Sequence, residues 1–224
     1  MRTLRYDMKV MYSPGQATGL LALWGLVGLA YAGLVLKAPA GVRALGVLSM
    51  IETTLPLLAL FAMGHAASLE WEERTLELSA SYPTGAFGLL VRRVAVSAGL
   101  FAAVEATTLG VFWALIPEMG DPGPGNVFRV AWSVIPPALL VGAVGFLGSV
   151  AGKHYVAGLG AGLLVWGVNL LRPGLLTETL YLFQASRPLP GLDVGANRLW
   201  LTVAAAVVFG AAVALWSRRE RSIR

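Results

Sequence analysis

Long apolar runs separated by short polar segments make up almost the whole chain. Four runs hold no charged residue, at 10–36, 130–152, 154–171 and 199–217, and two more, at 44–69 and 94–117, each hold one glutamate. A helix needs about 20 apolar residues to cross the ~30 Å hydrocarbon layer of a membrane, and every run approaches or exceeds that length. The pattern predicts an all-α integral membrane protein with six transmembrane helices in one domain, at 17–36, 45–68, 93–116, 130–150, 154–171 and 199–216.

The composition agrees with this pattern. Hydrophobic residues make up 57% of the chain and charged residues 13%, and the mean hydropathy is +0.71. Soluble domains carry about 25% charged residues. The chain has too few charged residues to cover a water-exposed surface, so we exclude a soluble enzyme. The chain has no cysteine, which excludes thiol catalysis, zinc–thiolate sites and disulfides.

The basic residues indicate the orientation in the membrane. Lys and Arg collect on the cytoplasmic flanks of membrane proteins, which accounts for the net charge of +5 without a nucleic-acid partner. If the N-terminus is cytoplasmic, the inner segments hold eleven basic residues: Arg2, Arg5, Lys9, Arg74, Arg92, Arg93, Lys153, Arg218, Arg219, Arg221 and Arg224. The outer segments hold six: Lys37, Arg43, Arg129, Arg172, Arg187 and Arg198. We therefore predict a multi-pass protein of the plasma membrane with both termini in the cytoplasm.

Residues 1–16 are amphipathic. On a helix their apolar and basic positions fall on separate faces, with Leu4, Met8 and Met11 on one and Arg2, Arg5 and Lys9 on the other. Such a helix lies flat on an anionic membrane surface. We predict an N-terminal interfacial elbow helix; a solvated basic tail is the alternative.

Several features of the other segments predict how the helices pack. Pro136 and Pro137 should kink the fourth span or break its hydrogen-bond ladder. The outer loop at 172–198 holds an apolar stretch, 175–184, which could form a helix that rests on the membrane or, as a re-entrant helix, dips into it. Glycines at helical spacing permit close helix contacts, and we interpret them as packing rather than as a dimer motif: Gly142, Gly145, Gly148, Gly158 and Gly162. Tryptophans near the predicted span ends are interpreted as interfacial anchors: Trp24, Trp113, Trp166, Trp200 and Trp216.

The most informative polar segment lies at 69–85, between the second and third predicted spans. If it is helical, Glu70, Glu73 and Glu77 share one face. Arg74 follows Glu70 by four residues, the spacing that favours a local ion pair. Four glutamates in a cytoplasmic loop run against the usual excess of basic residues there. The segment is therefore typical either of a docking surface for a soluble partner or of a solvated connector.

This segment resembles the one after the second transmembrane helix in ABC transporter permeases of the type-2 exporter class. Those permeases typically read Glu-x-Glu-x-Gly-Thr-Leu-Glu-Leu, then a few apolar residues and Ser-x-Pro. The matching positions here are Glu70, Glu72, Thr75, Leu76, Glu77, Leu78, Ser81 and Pro83. Arg74 stands in place of the usual Gly, and Ser79 and Ala80 are less apolar than usual.

The resemblance implies a permease subunit of an ATP-driven exporter. It would pair with a second permease subunit, identical or related, and with two cytoplasmic ATPase subunits. The segment 69–85 would be the coupling helix seated in a groove of an ATPase, and the matched positions together with Glu73 would make the contact. The cargo would be a small amphipathic molecule, a peptide or a lipid-like molecule, and the direction of transport stays open.

ATP and magnesium are expected on the partner ATPase, with no cofactor or metal on this chain. A phosphate-binding loop reads Gly-x-x-x-x-Gly-Lys followed by Ser or Thr. Here Gly152-Lys153 is followed by His154, and Leu147 stands where the first Gly should be. The chain itself is therefore not expected to be an enzyme.

Glu52 and Glu105 lie inside predicted spans, where an ionisable residue is a candidate for function. Counted from the inner boundary at ~1.5 Å per residue, Glu52 lies roughly 25 Å and Glu105 roughly 18 Å up their spans. The two could face one cavity and belong to a translocation path, in contact with a cationic or hydroxyl-bearing substrate. Alternatively each carboxyl is satisfied by a neighbouring helix or by nearby threonines: Thr53, Thr54, Thr107 and Thr108. His65 is expected to be packed rather than to be a ligand.

Two other classes of protein fit six spans. One is a membrane scaffold or sensor without transport. The other is an intramembrane enzyme, but the three aspartates lie outside the predicted spans, at Asp7, Asp121 and Asp193. Neither His-Glu-x-x-His nor Gly-x-Ser-x-Gly occurs. Glu72 and Glu73 begin a glutamate-protease motif, but Glu77 stands at the position that requires Arg.

Overall fold

The structure, a computed structural model, describes residues 39–72, 85–115, 124–175 and 178–223, together with the isolated positions Gly25, Leu29 and Gly33. The predicted elbow helix at 1–16 lies outside the described residues. So do the predicted first span at 17–36, apart from those three positions, and most of the predicted coupling segment.

The described residues are 85% helical and contain no strand. In chain order the helices are α1 (Ala40–Glu72), α2 (Gly85–Leu115), α3 (Pro124–Gly152), α4 (Tyr155–Leu171) and α5 (Val194–Ile223), with a 3₁₀ turn at Glu178–Leu180 before α5. The predicted spans at 45–68, 130–150, 154–171 and 199–216 coincide with α1, α3, α4 and α5, and the span at 93–116 with α2. Most of the helices run beyond the apolar spans, because backbone hydrogen bonding continues into the polar flanks.

Three helices among the described residues are long and apolar enough to cross a membrane, over Leu45–Ala66, Phe128–Gly152 and Val194–Arg218. The apolar α4 is shorter, at 17 residues. An all-α chain with such helices is a membrane protein by length and composition. The count of six spans stays a prediction.

The helices have two distinct ends, named here from their connections. At the turn end, α3 ends at Gly152 and α4 begins at Tyr155. Lys153 adopts the left-handed conformation there, with φ 56°. His154 then caps α4, because its Nδ1 accepts from the Val156 amide at 3.1 Å. At the loop end, residues 172–193 connect α4 to α5. Glu72, at the end of α1, belongs to the turn end.

Helix α3 is at the centre, packed against α1, α4 and α5, and α2 packs mainly on α1. Phe146, in the half of α3 nearer the turn end, joins Val150 and Trp216 in a buried cluster. Nearer the loop end, Val141 joins Tyr181 and other buried side chains in a second cluster. A third cluster links α1 to α3: Val47, Ile51, Leu55, Ala59, Val134 and Ala138.

The close approach of α3 and α4 depends on glycine. A β-carbon at Gly158 would overlap the Ser149 hydroxyl and the Gly145 carbonyl oxygen, and one at Gly162 would overlap Leu60. At Gly148 a β-carbon would come within 3.0 Å of three atoms of α4. These contacts lie within one chain, so the interpretation of the glycines as packing residues is confirmed.

Prolines lie inside two of the long helices. Helix α3 continues through Pro136 and Pro137 as one element, so the break that the two prolines predict does not end the helix. Pro56 lies inside α1. Because proline has no N–H, the carbonyl of Glu52, four residues earlier, receives no helical hydrogen bond from it.

Candidate functional site

A buried ion pair joins α1 to α5 at the loop end. Arg198 Nη2 donates to Glu52 Oε1, and both side chains are 0% exposed. A single charge in a low-dielectric interior is costly, whereas a hydrogen-bonded pair offsets much of that cost. The two residues lie 146 positions apart, so the pair is a tertiary contact with no local sequence signal.

Glu52 also binds the loop that precedes α5. Its Oε1 accepts from the Ala185 amide at 3.1 Å, and its Oε2 accepts from the Ser186 amide at 2.9 Å. On the other side of the pair, Arg198 Nη1 donates to the Leu182 carbonyl at 3.1 Å and to Asn197 Oδ1 at 2.8 Å. The pair therefore ties three elements together: α1, α5 and the loop.

Residues 178–186 of this loop, which are buried at 181–184, are called the plug below. Tyr181, Leu182 and Phe183 are all 0% exposed and pack into the second core cluster. The two aromatic rings meet edge to face at 5.8 Å between centroids. Over the described residues 178–184, the segment predicted to be a helix is therefore a 3₁₀ turn followed by irregular backbone.

Amide side chains satisfy the irregular backbone of the loop. Asn197 Nδ2 donates to the carbonyls of Thr179 at 2.9 Å and Tyr181 at 3.1 Å. Asn169 Oδ1 accepts from the Leu182 amide at 3.3 Å. Gln184 accepts from the Leu189 amide at 2.9 Å and donates to the Leu189 and Leu192 carbonyls. Buried backbone groups outside helices need such partners, so Asn169 and Asn197 hold the plug in its irregular form, and Gln184 holds the segment that follows it.

The environment of Tyr181 reflects the same burial. Burial raises the pKa of its phenol above the ordinary value, Arg187 opposes that shift, and Glu52 adds to it. The phenol oxygen has no hydrogen-bond partner among the described residues. Tyr181 is therefore a neutral packing residue of the plug at physiological pH.

The contacts of Glu52 decide between the two ways in which its carboxyl could be satisfied. The hydroxyls of Thr53 and Thr54 donate to carbonyls of their own helix, those of Ser49 and Met50. The partners of the carboxyl come instead from α5 and the loop. Three donors occupy its two oxygens, which is the arrangement of a structural anchor. A place for Glu52 in a translocation path stays a prediction.

Glu105 has a different environment. It is 7% exposed within α2, and its Oε1 has no hydrogen-bond partner among the described residues. The hydroxyl of Thr107 donates to the Ala103 and Val104 carbonyls, and that of Thr108 donates to the Val104 carbonyl. These threonines therefore do not supply a hydrogen bond to Oε1, in contrast to the sequence-based alternative.

A cavity of about 320 Å³ lies between α1, α2, α3 and α5. Its wall is apolar except for Thr202, whose hydroxyl already donates to the Arg198 carbonyl at 2.8 Å. The large side chains in the wall are Met63, Phe101, Phe209 and Leu139. Neither Glu52 nor Glu105 is part of the wall, so the structure does not bring the two carboxyls together in one lining.

Two glutamates of the predicted coupling segment fall within the described backbone. Glu70 and Glu72 lie in the last turn of α1, beyond the apolar stretch that ends at Ala66. They are therefore placed at the turn end. The remaining residues assigned to coupling lie outside the described residues: Glu73, Thr75, Leu76, Glu77, Leu78, Ser81 and Pro83.

His65 is packed, as expected: it is 9% exposed and meets the Tyr155 ring edge to face at 5.4 Å. The part of the chain that the structure describes holds no group of His, Cys, Asp or Glu that could bind a metal ion.

The tryptophans differ from the prediction. Trp200 is 55% exposed, as an interfacial anchor would be. Trp216 is 2% exposed in the core, and Trp166 donates to the Thr53 carbonyl of α1 at 2.8 Å. The interpretation as an anchor is wrong for Trp216, because its ring is buried among neighbouring helices, whereas for the partly buried Trp166 it stays a prediction.

Sequence reasoning missed four polar residues that build the loop end: Asn169, Gln184, Asn197 and Arg198. Arg198 was counted among the outer cations, since it precedes an apolar run. The structure places it inside α5 and neutralises it with Glu52. The available signal would have been a lone glutamate inside one predicted span and a lone arginine at the edge of another.

Models of known protein families, curated proteins and solved structures were compared with the chain, and none matches it.

Proposed function

We propose that this chain is the transmembrane permease subunit of an ATP-driven ABC transporter, driven by separate cytoplasmic ATPase subunits. The observation that carries the proposal is the acidic segment that begins with Glu70 and ends with Pro83, between two long helices. This segment resembles the coupling segment of type-2 exporters. It also begins beyond the apolar part of α1. A segment placed in this way is joined directly to two helices of the bundle.

The distribution of charge supports a cytoplasmic location of this segment. Lys153 and Arg218 are exposed at the turn end, and Arg92 and Arg93 lie near the start of α2. The burial of Arg198 removes one cation from the outer count made from the sequence, and the burial of Arg93 removes one from the inner count, which leaves ten inner and five outer basic residues. Because Lys and Arg favour the cytoplasmic side, the corrected count still agrees with the predicted orientation with the turn end inside.

The irregular, buried plug at the loop end also agrees with a transport protein. Non-helical backbone at membrane depth occurs where it is enclosed by protein or lines a cavity. The proposed cargo is a small amphipathic molecule, peptide or lipid-like molecule, for which an apolar cavity within the bundle is a suitable environment.

Co-purification tests the coupling role. The tagged chain is expressed with the ATPase encoded nearest to it and is isolated in mild detergent. We expect the wild type to retain the ATPase and the double variant Glu73→Lys with Glu77→Lys to lose it, because the charge on one face of the segment is reversed. Glu178→Lys, an exposed glutamate at the loop end, is the matched control and should retain the ATPase. A wild-type chain that retains no ATPase, or a double variant that retains as much as the control, would contradict the proposal.

Labelling of introduced cysteines tests the orientation independently. The chain has no native cysteine, so each introduced thiol gives an unambiguous signal. In intact cells, Arg187→Cys should react with a membrane-impermeant maleimide, whereas Ser81→Cys should react only after the membrane is opened. Reaction of Ser81→Cys from outside would place the segment on the wrong side for an ATPase.

A further inference from the structure

The cavity between α1, α2, α3 and α5 has the size and chemistry of a site for a small apolar group. Its volume of about 320 Å³ lies at the lower end of the range typical of ligand pockets, about 300–1,000 Å³. Among the described residues, the side chains of the wall offer no free hydrogen-bond donor, because the hydroxyl of Thr202 already donates to its own helix.

Glu105 lies on the face of α2 that lines this cavity. The lining positions Val94, Ala98 and Phe101 follow one another at spacings of four and three residues, and Glu105 follows Phe101 by four. Such spacing puts all four on one helical face, with successive side chains about 5–6 Å apart. Phe101 and Leu109 both pack on the cluster shared by α1 and α3, so Glu105, between them, faces the same interior.

The carboxyl of Glu105 is short of a partner. More than nine-tenths of the residue is buried, and Oε1 accepts no hydrogen bond from any described residue. By contrast, the carboxyl of Glu52, which is also buried, accepts hydrogen bonds from three donors. Buried polar groups in proteins are almost always hydrogen-bonded, and an ionisable group within the membrane usually has an opposite charge or another polar partner. A ligand with a cationic donor would supply the hydrogen bond that the described residues do not give to Oε1.

We propose that the cavity and Glu105 form one binding site for a cationic amphiphile, whose apolar body fills the cavity and whose protonated amine reaches Glu105 one turn along α2. The proposal names the substrate class of the permease and in that sense rests on the proposed function. Binding itself requires neither ATP nor an ATPase, so it is tested on the purified chain alone.

The test compares three probes that share an eight-carbon chain: octylamine, octanol and octanoate. Each radiolabelled probe is titrated against the chain in neutral lipid nanodiscs on scintillation beads, and the signal of empty nanodiscs is subtracted. We expect octylamine to bind about 10- to 100-fold more tightly than octanol, which is the range of a hydrogen bond to a charged group. Octanoate should bind least. Equal affinity for the three probes would overturn the proposal, and this comparison requires no variant.

Two variants locate the site. Glu105→Gln should remove the preference for octylamine while octanol binding stays unchanged. Ala98→Leu, which fills part of the cavity from α2, should weaken the binding of both probes. Ala102→Leu is the matched control, because Ala102 is exposed on the same helix and does not line the cavity. A preference retained in Glu105→Gln, or equal binding by the two leucine variants, would show that the probes bind elsewhere. Either result would leave ATPase co-purification unaffected, so the two proposals fail separately.

Discussion

The ion pair between Glu52 and Arg198 predicts how two substitutions change the free energy of unfolding. Both the sign and the size of each change test the pair. In Arg198→Met the methionine fills a similar volume but carries no charge. The carboxylate of Glu52 then stays buried with only the amides of Ala185 and Ser186 as donors. The Leu182 carbonyl also loses the arginine donor. Removal of one partner of a buried pair costs about 3–5 kcal/mol.

The double variant Glu52→Gln with Arg198→Met should be more stable than Arg198→Met alone. It removes the stranded charge, and the glutamine oxygen still accepts from one loop amide. In the double variant at least one of the two loop amides has no acceptor, which costs about 1–3 kcal/mol. A second substitution that restores stability identifies the cost as that of an uncompensated buried charge and not of lost side-chain packing.

Unfolding by sodium dodecyl sulfate in mixed micelles, followed by far-ultraviolet circular dichroism, measures the free energies of unfolding. Arg129→Met is the control, because Arg129 is an exposed arginine near the loop end of α3. It should change stability by less than about 0.5 kcal/mol. The reasoning is refuted if Arg198→Met matches this control, or if the double variant is no more stable than Arg198→Met.

Two further predictions concern the contacts of α4. Gly158→Ala should destabilise the chain by about 1–3 kcal/mol, since its β-carbon meets Ser149 and Gly145 in the packed interface with α3. Gly160→Ala is the control, because a β-carbon there meets no atom within 4 Å. It should be neutral or stabilising by up to about 1 kcal/mol. Both are measured by thermal unfolding in detergent, and equal effects would contradict the packing. Trp166→Phe should lower the stability by about 0.5–1.5 kcal/mol, because it loses the hydrogen bond to the Thr53 carbonyl. Trp200→Phe, at an exposed site, should lower the stability less. The reverse order in the same assay would argue against this hydrogen bond.

The helix positions could be predicted from the sequence because the physics is local. An apolar run of about 20 residues in a membrane has to bond its own backbone groups, and a helix is the way a single segment does so. The spans predicted at 45–68 and 130–150 therefore fall within α1 and α3. Even the unbroken helix at Pro136 and Pro137 follows this logic, because no other partner is available to most of the backbone there.

The loop end could not be predicted because its structure depends on distant residues. The pairing of Glu52 with Arg198 joins residues 146 positions apart, and at the edge of an apolar run an arginine resembles an ordinary polar flank. The form of the plug depends in the same way on Asn169 and Asn197, which bond it from two different helices. The cavity likewise arises where small side chains of four helices meet.

Helix α1 is anchored by polar contacts on the loop-end side of Pro56. Its loop-end half is held by Glu52 and by the bond from Trp166 to the Thr53 carbonyl. Immediately afterwards comes Pro56, where the helix lacks one internal hydrogen bond and bends most easily. In the proposed permease, a push on the turn end of α1 would therefore swing the turn-end half about this joint, with the anchored loop-end half as the fixed support. Because the cavity is lined by Ala59 and Met63, on the moving side of the joint, such a swing would change the shape of the cavity before it disturbed the plug.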